Sequence, residues 1–475
     1  MLTRLRVKGF KNLRDVDLSF GPFTCVAGPN GVGKSNLFDA ITLLSDLASK
    51  PVIEALLAVR GTNGRVAEIG SLFSRTAAKG SLAIELIAEM VVPRTALDDY
   101  ERETRPTATF VEYALELRFD PDRLGGVDKD PVYIEREELR AKSSSDAARS
   151  LPFNPGKKWI SRYVAGPGAR TAPFIRTDAA ESGAEPIIKL LGDKSRGRPF
   201  GVPARKAPQT VLSGVNAASH PTALAVRNEM KSWQLLQLEP TALRRPDELH
   251  GLSQVSATGE HLPAALMRIG SHAEVARRLA ELIPGVVSVD VESDKVRQTR
   301  TLVVTLKDRH FYSASSLSDG TLRFLALAVM ASDPDASGLI CMEEPENGIH
   351  PLRIPHMMRL VRSLADADDS DGELPDREAL RQVLINTHSP LVVAQLRDDE
   401  LLVAETLRLN GSEFINFKPL VGTWRAPSGQ VRQGDFVSRG DLEAYLGHAA
   451  PPRPRPDGKS RRVVDHFTPD LFAKG

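Results

Sequence analysis

The sequence predicts an α/β protein organised around a phosphate-binding loop, and three observations predict it. A short apolar run, Phe23–Ala27, leads straight into Gly28-Pro29-Asn30-Gly31-Val32-Gly33-Lys34-Ser35, after which Leu37, Ile41 and Leu44 recur at helical spacing. Far downstream, two more apolar runs, Leu339–Met342 and Val383–Ile385, end in Glu343-Glu344 and in Asn386-Thr387-His388-Ser389-Pro390. Ligands of parallel α/β sheets sit at the carboxyl ends of strands, so the three loops are expected to meet at one site.

The chain opens with period-two alternation on both sides of Lys11-Asn12. Leu5 and Val7 alternate with Arg4, Arg6 and Lys8, and Val16, Leu18 and Phe20 with Asp15, Asp17 and Ser19, which predicts an antiparallel hairpin with one buried face. The glycine-rich loop follows. Its glycines let backbone N–H groups turn inward around phosphate oxygens, and the helix that begins there adds the positive end of its dipole. Gly28, Pro29, Asn30, Gly31, Val32, Gly33, Lys34, Ser35 and Asn36 form the expected cradle, with Lys34 on the β and γ phosphates and the Ser35 hydroxyl on Mg2+. A chance match in a chain this long is expected about 0.02 times, so a Gly-rich turn before an ordinary helix is the weaker reading.

Leu317-Ser318-Asp319-Gly320-Thr321 opens a second apolar helix, marked by Leu322, Leu325 and Val329. A serine hydroxyl and a glycine at a helix N-terminus predict another anion site. The acid pair continues into Pro345-Glu346-Asn347-Gly348-Ile349-His350-Pro351. Phosphoryl transfer to water needs a phosphate cradle, a metal, a water-orienting carboxylate and a sensor of the γ-phosphate. Glu344 suits the proton acceptor and His388 the sensor. The bland reading of two adjacent acids is the solvated end of a strand, and His350 reads as structural or as a contact between copies.

Four motifs in this order resemble those of ABC-type ATPases outside transport, the SMC, RecF and OLD (overcoming lysogenization defect) group. The likeness is strongest to AAA-family ATPases of bacterial defence and repair systems that carry an EEPENG(I/L)HP box, and it covers residues 1–95 and 300–440. It implies ATP at Gly28–Asn36, Mg2+ at Ser35 and Glu343, Glu344 as catalytic base and His388 as switch histidine. It also implies that heads dimerise on ATP, with Ser318, Asp319 and Gly320 of a second copy completing the site in trans. Asp319 departs from the glycine common in transporters, and Glu343 stands where many relatives have Asp. The stretch after Gly61 offers no clear glutamine to order the attacking water.

The expected organisation is an ATPase head of residues 1–95 and 300–445, a mixed α/β insertion lobe of residues 96–299, and a disordered, basic, Pro-rich tail at 446–475. Within the lobe, residues 98–105 read as a solvated charged loop, strands are expected at Tyr113–Phe119 and Val132–Glu135, and a helical segment runs from Leu262 to Leu282. The net charge of +1 excludes a generally basic nucleic-acid coat. That total is a cancellation, because residues 141–215 hold 13 Lys or Arg against 5 Asp or Glu, a candidate site for DNA or RNA. Acidic residues 366–378 offset it and read as a solvated turn. Two cysteines, each inside an apolar run, exclude a disulfide framework. No apolar stretch reaches ~18 residues, so the expectation is a soluble cytoplasmic protein with no membrane partner.

Two functions of different class follow. One is an ATP-hydrolysing switch whose heads close on ATP and regulate a separately encoded effector in antiphage defence, with no nuclease activity in this chain. The alternative is a RecF- or SMC-like DNA-binding repair ATPase, or an ATP-bound assembly scaffold with little turnover.

Overall fold

Residues Leu2–Phe10 and Leu13–Ser19 pair antiparallel, with Val7 opposite Val16 and Phe10 opposite Leu13. The turn is made at Lys11, whose φ is 49°. Leu5, Val7 and Phe10 are fully buried, while Arg4, Arg6 and Lys8 keep the outer face, as the alternation requires. A computed structural model describes residues 1–74, 82–123, 130–143, 155–166, 172–178, 185–193, 200–365, 380–409, 412–427 and 436–438, with Ser145, Ala147, Leu151, Phe153, Gly440 and Leu442. The sheet grows from the far side of Leu2–Phe10 through Leu82–Val91, Phe110–Phe119, Val132–Ala141, Ile175–Asp178, Ile187–Leu190 and Phe200–Pro203, each antiparallel to the last. It therefore runs unbroken across the expected boundary at residue 95.

One face of this eight-stranded sheet shares a core with the helix Lys34–Leu47. Leu5, Val7, Leu86 and Leu115 belong to the same cluster as Leu37, Phe38, Ile41 and Leu44. The opposite face is laced with ion pairs, among them Arg4–Asp17, Lys8–Glu85, Arg136–Glu138, Lys189–Asp178 and Arg205–Glu135. Paired charges let this face of the antiparallel sheet meet water.

The second sheet is the one that positions the site. Gln234–Leu236, Gly338–Glu343, Arg381–Thr387, Phe23–Ala27 and Leu401–Leu409 lie side by side and parallel, and Ser412–Pro419 closes the edge antiparallel. Every residue of Arg381–Thr387 is buried, the mark of a strand covered on both faces. Leu384 faces the core shared with the first sheet, and Val383 and Ile385 face a second core with Leu322, Leu325 and Val329 of the helix Asp319–Ala331. Gln234–Leu236 lies within the expected insertion yet belongs to this sheet. A small antiparallel sheet of Asp247–Glu248, Thr299–Leu306, Val286–Asp294 and Phe311–Ser313 packs with the helices Leu262–Ile269 and His272–Leu282. The single helical segment expected from 262 to 282 is thus two helices, broken at Gly270 in the left-handed region at φ 69°.

The stretch 98–105 is not wholly solvated. Asp98 is buried, and its carboxylate accepts from the backbone N–H groups of Tyr100 and Arg102 and from the Arg102 guanidinium. The acidic stretch 366–378 and the tail 446–475 lie outside the described residues. Among the described residues no helix is long and apolar enough to cross a membrane, and Cys25 and Cys341 are buried, free thiols.

Glu137 is the most deeply buried acid of the first sheet. It accepts from the backbone N–H groups of Val211 and Leu212 and from the Tyr113 hydroxyl, pinning residues 210–213 to the strand Val132–Ala141. Burial pushes its carboxyl up to about 7, against the hydrogen bonds that favour the anion. The unfolded carboxyl ionises near the ordinary 4.5, so folding binds a proton between the two values and stability falls as pH rises from about 4.5 to 7. Urea melts across that window should show a loss of about 3 kcal/mol that Glu137→Gln abolishes. Parallel pH profiles for the two proteins would contradict this.

Candidate functional site

The phosphate loop lies open at its tip and is braced at its base. Pro29, Asn30 and Gly31 are exposed, whereas Lys34 is buried. Gly28 donates its N–H to the Thr387 carbonyl at 3.2 Å, and a Cβ there would stand 2.6 Å from the Ala404 carbonyl oxygen. Gly33 has φ 99°, and a Cβ on it would meet Asn12 Nδ2 at 2.1 Å. Only glycine fits either position. Asn12, from the hairpin turn, donates to the Val32 carbonyl at 3.0 Å and accepts from Asn36 Nδ2 at 2.7 Å. The Lys34 ammonium folds back onto the Gly28 and Pro29 carbonyls, at 2.8 Å each. Burial pulls it below the ordinary lysine range, and the charge of Glu344 opposes that shift.

The parallel register brings the acids alongside. Glu343 lies opposite Asn386, and Thr387 opposite Ala27, so the ends of three neighbouring strands form one rim. Glu343 Oε2 accepts from Arg60 Nη1 at 2.8 Å. Arg60 also donates to Asp39 Oδ1 at 2.6 Å and to the Ser35 carbonyl at 3.0 Å, and Lys11 Nζ holds the other Asp39 oxygen at 2.6 Å. Burial works against the Glu343 anion, yet hydrogen bonds from Arg60 and Ser35 outweigh it and hold the carboxyl below the usual range. Ser35 and Glu343 therefore lie near enough to influence each other. Two adjacent oxygen donors suit Mg2+, which takes one or two protein oxygens and fills its octahedron with phosphate oxygens and water.

Glu344 has φ 46°, unusual for a residue with a Cβ. Its N–H donates to the Asn386 carbonyl at 3.0 Å, and its carboxylate takes His388 Nδ1 at 2.7 Å and Asn347 Nδ2 at 2.9 Å. Such backbone strain, of order 1–3 kcal/mol, persists only where surroundings over-determine it. Glu346 is buried behind this pair. One of its oxygens accepts from the Thr387 hydroxyl, the other has no hydrogen-bond partner among the described residues, and burial pushes the carboxyl up.

Ser318, Asp319 and Gly320 stand elsewhere. Ser318 caps the helix Asp319–Ala331, its Oγ accepting from the Thr321 N–H at 3.3 Å. Gly320 packs on the loop after the acids, where a Cβ would lie 2.6 Å from the Gly348 carbonyl oxygen. Among the described residues no hydrogen bond or ion pair joins Ser318, Asp319 or Gly320 to Gly28–Asn36. The structure thus gathers Gly28–Asn36, Glu343, Glu344 and His388, and leaves the Ser318 box apart on the same molecule.

A cleft of about 330 Å3 is lined by Glu343 and Glu344 together with Gln237, Glu239, Arg323 and Asn347 among others. The glutamine beside the acids, Gln237, follows the edge strand Gln234–Leu236 and so lies far along the chain from Gly61. Asn12, Asp39, Arg60 and Asn386 also went unforeseen. Each is a single polar residue brought in by tertiary pairing, and no local pattern marks it.

Residues 204–394 match a family model described as "AAA domain, putative AbiEii toxin, Type IV TA system", and residues 4–46 match a second AAA domain model. The OLD nuclease of Thermus scotoductus is 52% identical over 44 residues, 9% of this chain and 8% of that protein. The DNA replication and repair protein RecF of Magnetococcus marinus is 49% identical over 45 residues, 9% of this chain and 12% of that protein. The chain's matches thus span about a tenth of the length of these curated relatives. An SMC head solved with the C-winged helix domain of ScpA aligns over 88% of this chain and 98% of its own, at 14% identity and TM-score 0.43. The SMC head domain from Thermotoga maritima covers 88% and 99%, at 13% identity and TM-score 0.36.

The hairpin turn and the phosphate loop can be uncoupled by one substitution. Asn12→Ala removes both hydrogen bonds, and urea melting should show a loss of about 1–2 kcal/mol. Titration with a fluorescent ATP analogue should show weaker uptake. Unchanged nucleotide affinity would mean that the turn does not brace the loop.

Proposed function

We propose that this chain, an ABC-type ATPase of the SMC, RecF and OLD kind, works as a switch that closes on ATP as a dimer of heads and reopens on hydrolysis. One observation carries the reading. The Glu344 carboxylate sits two strands from the strand that delivers the phosphate loop, in a strained backbone position, gripped by His388 and Asn347.

In this reading Lys34 exchanges its two carbonyl partners for the β and γ phosphates, and the N–H groups of the loop take the remaining phosphate oxygens. Ser35 and Glu343 would hold Mg2+, and Arg60 and Asn386 fix the Glu343 carboxylate. When bound, Mg2+ neutralises charge on the phosphates. Glu344 accepts the proton of the attacking water, a contribution typically worth 10² to 10⁴ in rate. His388 orients Glu344 and reports the γ-phosphate. Ser318, Asp319 and Gly320 of a second copy cap the nucleotide from the other side, and to act as a switch ATP must favour that closed state by several kcal/mol, as ~5.5 kcal/mol carries a 1:99 population to 99:1.

The head, residues 1–95 and 300–445, would pass this motion through the 96–299 insertion to a separately encoded effector in the cytoplasm, in antiphage defence. The chain itself would cut no nucleic acid. A repair role in the manner of RecF is the second reading. It is favoured by Lys157 and Lys158, exposed on the helix Lys157–Tyr163 inside the basic stretch. Much of the remaining basic charge is already paired: Lys142 with Glu89, Arg176 and Lys189 with Asp178, Arg205 with Glu135. Arg196 and Arg198 lie outside the described residues.

Glu344→Gln should lower steady-state ATP hydrolysis at least about 100-fold and leave ATP-bound dimers detectable by size exclusion. Negligible wild-type turnover with unchanged assembly would favour a scaffold instead. For the second reading, replacing Lys157 and Lys158 by Gln should reduce the slope of log affinity for DNA against log salt by about 0.9 for each phosphate that is no longer neutralised. An unaltered slope would remove the nucleic-acid reading from this helix.

A further inference from the structure

Arg244 ends the short helix Pro240–Leu243 and reaches a loop 75 residues further along the chain. Its Nη2 donates to the Leu317 carbonyl at 2.9 Å and to Asp319 Oδ1 at 2.6 Å. Its Nε and Nη1 have no partner among the described residues. Asp319 is 58% exposed and Arg244 30% exposed, so the pair lies at the surface, beside Ser318. On the opposite flank Gly320 rests on Gly348 and Ile349, immediately beyond the acids. The Ser318 box is therefore held from two sides, by a guanidinium and by the loop that follows Glu344.

The charge balance of this box is the problem that Arg244 solves. A triphosphate carries several negative charges, and an uncompensated carboxylate at the first residue of the helix would repel it. That carboxylate would also occupy the partial positive charge that a helix N-terminus offers to an anion. Arg244 cancels the Asp319 charge without hiding the exposed Ser318 residue. We infer that Arg244 is a positioning residue for the trans half of the nucleotide site, which neutralises Asp319 and fixes the Leu317 carbonyl so that the box can meet the ATP of a second copy. The inference rests on the reading that this box closes on a partner's nucleotide. Arg is suited to the task because it stays charged at any physiological pH and presents several donors in one plane.

The test uses the full chain carrying Glu344→Gln, with assembly followed by sedimentation velocity across an ATP titration. Adding Arg244→Ala should raise the ATP needed for half-assembly by about 10- to 100-fold. Adding Asp319→Asn as well should return it to within about threefold of the parent, a rescue that a merely structural role for Arg244 would not produce. Asp319→Asn alone, which removes the carboxylate and leaves the Arg244 cation, should assemble at a lower ATP concentration than the parent. Binding of a fluorescent ATP analogue at protein concentrations too low for assembly serves as the control for the separate heads. If the parent assembles and Arg244→Ala assembles at the same ATP, or the double variant is as impaired as Arg244→Ala, the role of Arg244 is overturned while the trans site stands. If the parent does not assemble at any ATP concentration, the trans site itself falls and this role falls with it.

Discussion

The parallel pairing of Arg381–Thr387 between Gly338–Glu343 and Phe23–Ala27 is the constraint on which the rest of the molecule depends. It joins Phe23–Ala27 to two strands that lie far downstream and close to each other in the chain, Gly338–Glu343 and Arg381–Thr387, and its register decides which residues emerge together at the rim. A slip of one residue would exchange the two faces of a strand. Leu384 would then leave the core under the first sheet, and Asn386 would lose Glu343 as its neighbour. The burial of every residue in that middle strand makes such a slip costly, because both faces are packed. Core and site are thus specified by one set of contacts.

Around that rim, charge is arranged as a connected web rather than as isolated pairs. Lys11, Asp39, Arg60 and Glu343 alternate in sign from the hairpin turn to the end of the central sheet. Asp39 is buried and takes a cation on each oxygen, which is what makes its burial tolerable. The more exposed Arg60 adds little to fold stability by pairing alone. Its value lies in holding the Glu343 carboxylate ionised beside Ser35.

Much of this was legible in the sequence wherever a local pattern carried it. The hairpin, the phosphate loop with its flanking strand and helix, and the strands ending in Glu343-Glu344 and Thr387-His388 lie where alternation and apolar runs predict them. The helical segment from 262 to 282 was legible only as helical, since its break at Gly270 depends on how two short helices pack. Gln234–Leu236 was not legible as a strand of the central sheet, because three residues after a helix carry no period of their own. The basic stretch at 141–215 was legible as composition but not as surface, because Glu89 and Glu135 come to Lys142 and Arg205 from other strands, and Asp178 takes Arg176 on its own strand and Lys189 on the next. The same holds for Asn12, Arg60 and Arg244, which acquire partners only when distant segments meet.

The contact of Asn12 with the phosphate loop also has a mechanical side. The hairpin that carries Asn12 belongs to a ladder of eight strands, which at about 4.8 Å per strand extends roughly 35 Å to Phe200–Pro203. From Leu13–Ser19 to Val132–Ala141 the ladder is bonded along most of its length, and then it narrows to one pair, Leu139 opposite Ile175. The inner five strands are continuous with the turn that braces the nucleotide cradle, while the outer three join them through that pair and through side chains, Thr177 with the Glu137 backbone and Arg205 with Glu135. A displacement of the hairpin would therefore reach Gly33 directly through Asn12, with no other element between them.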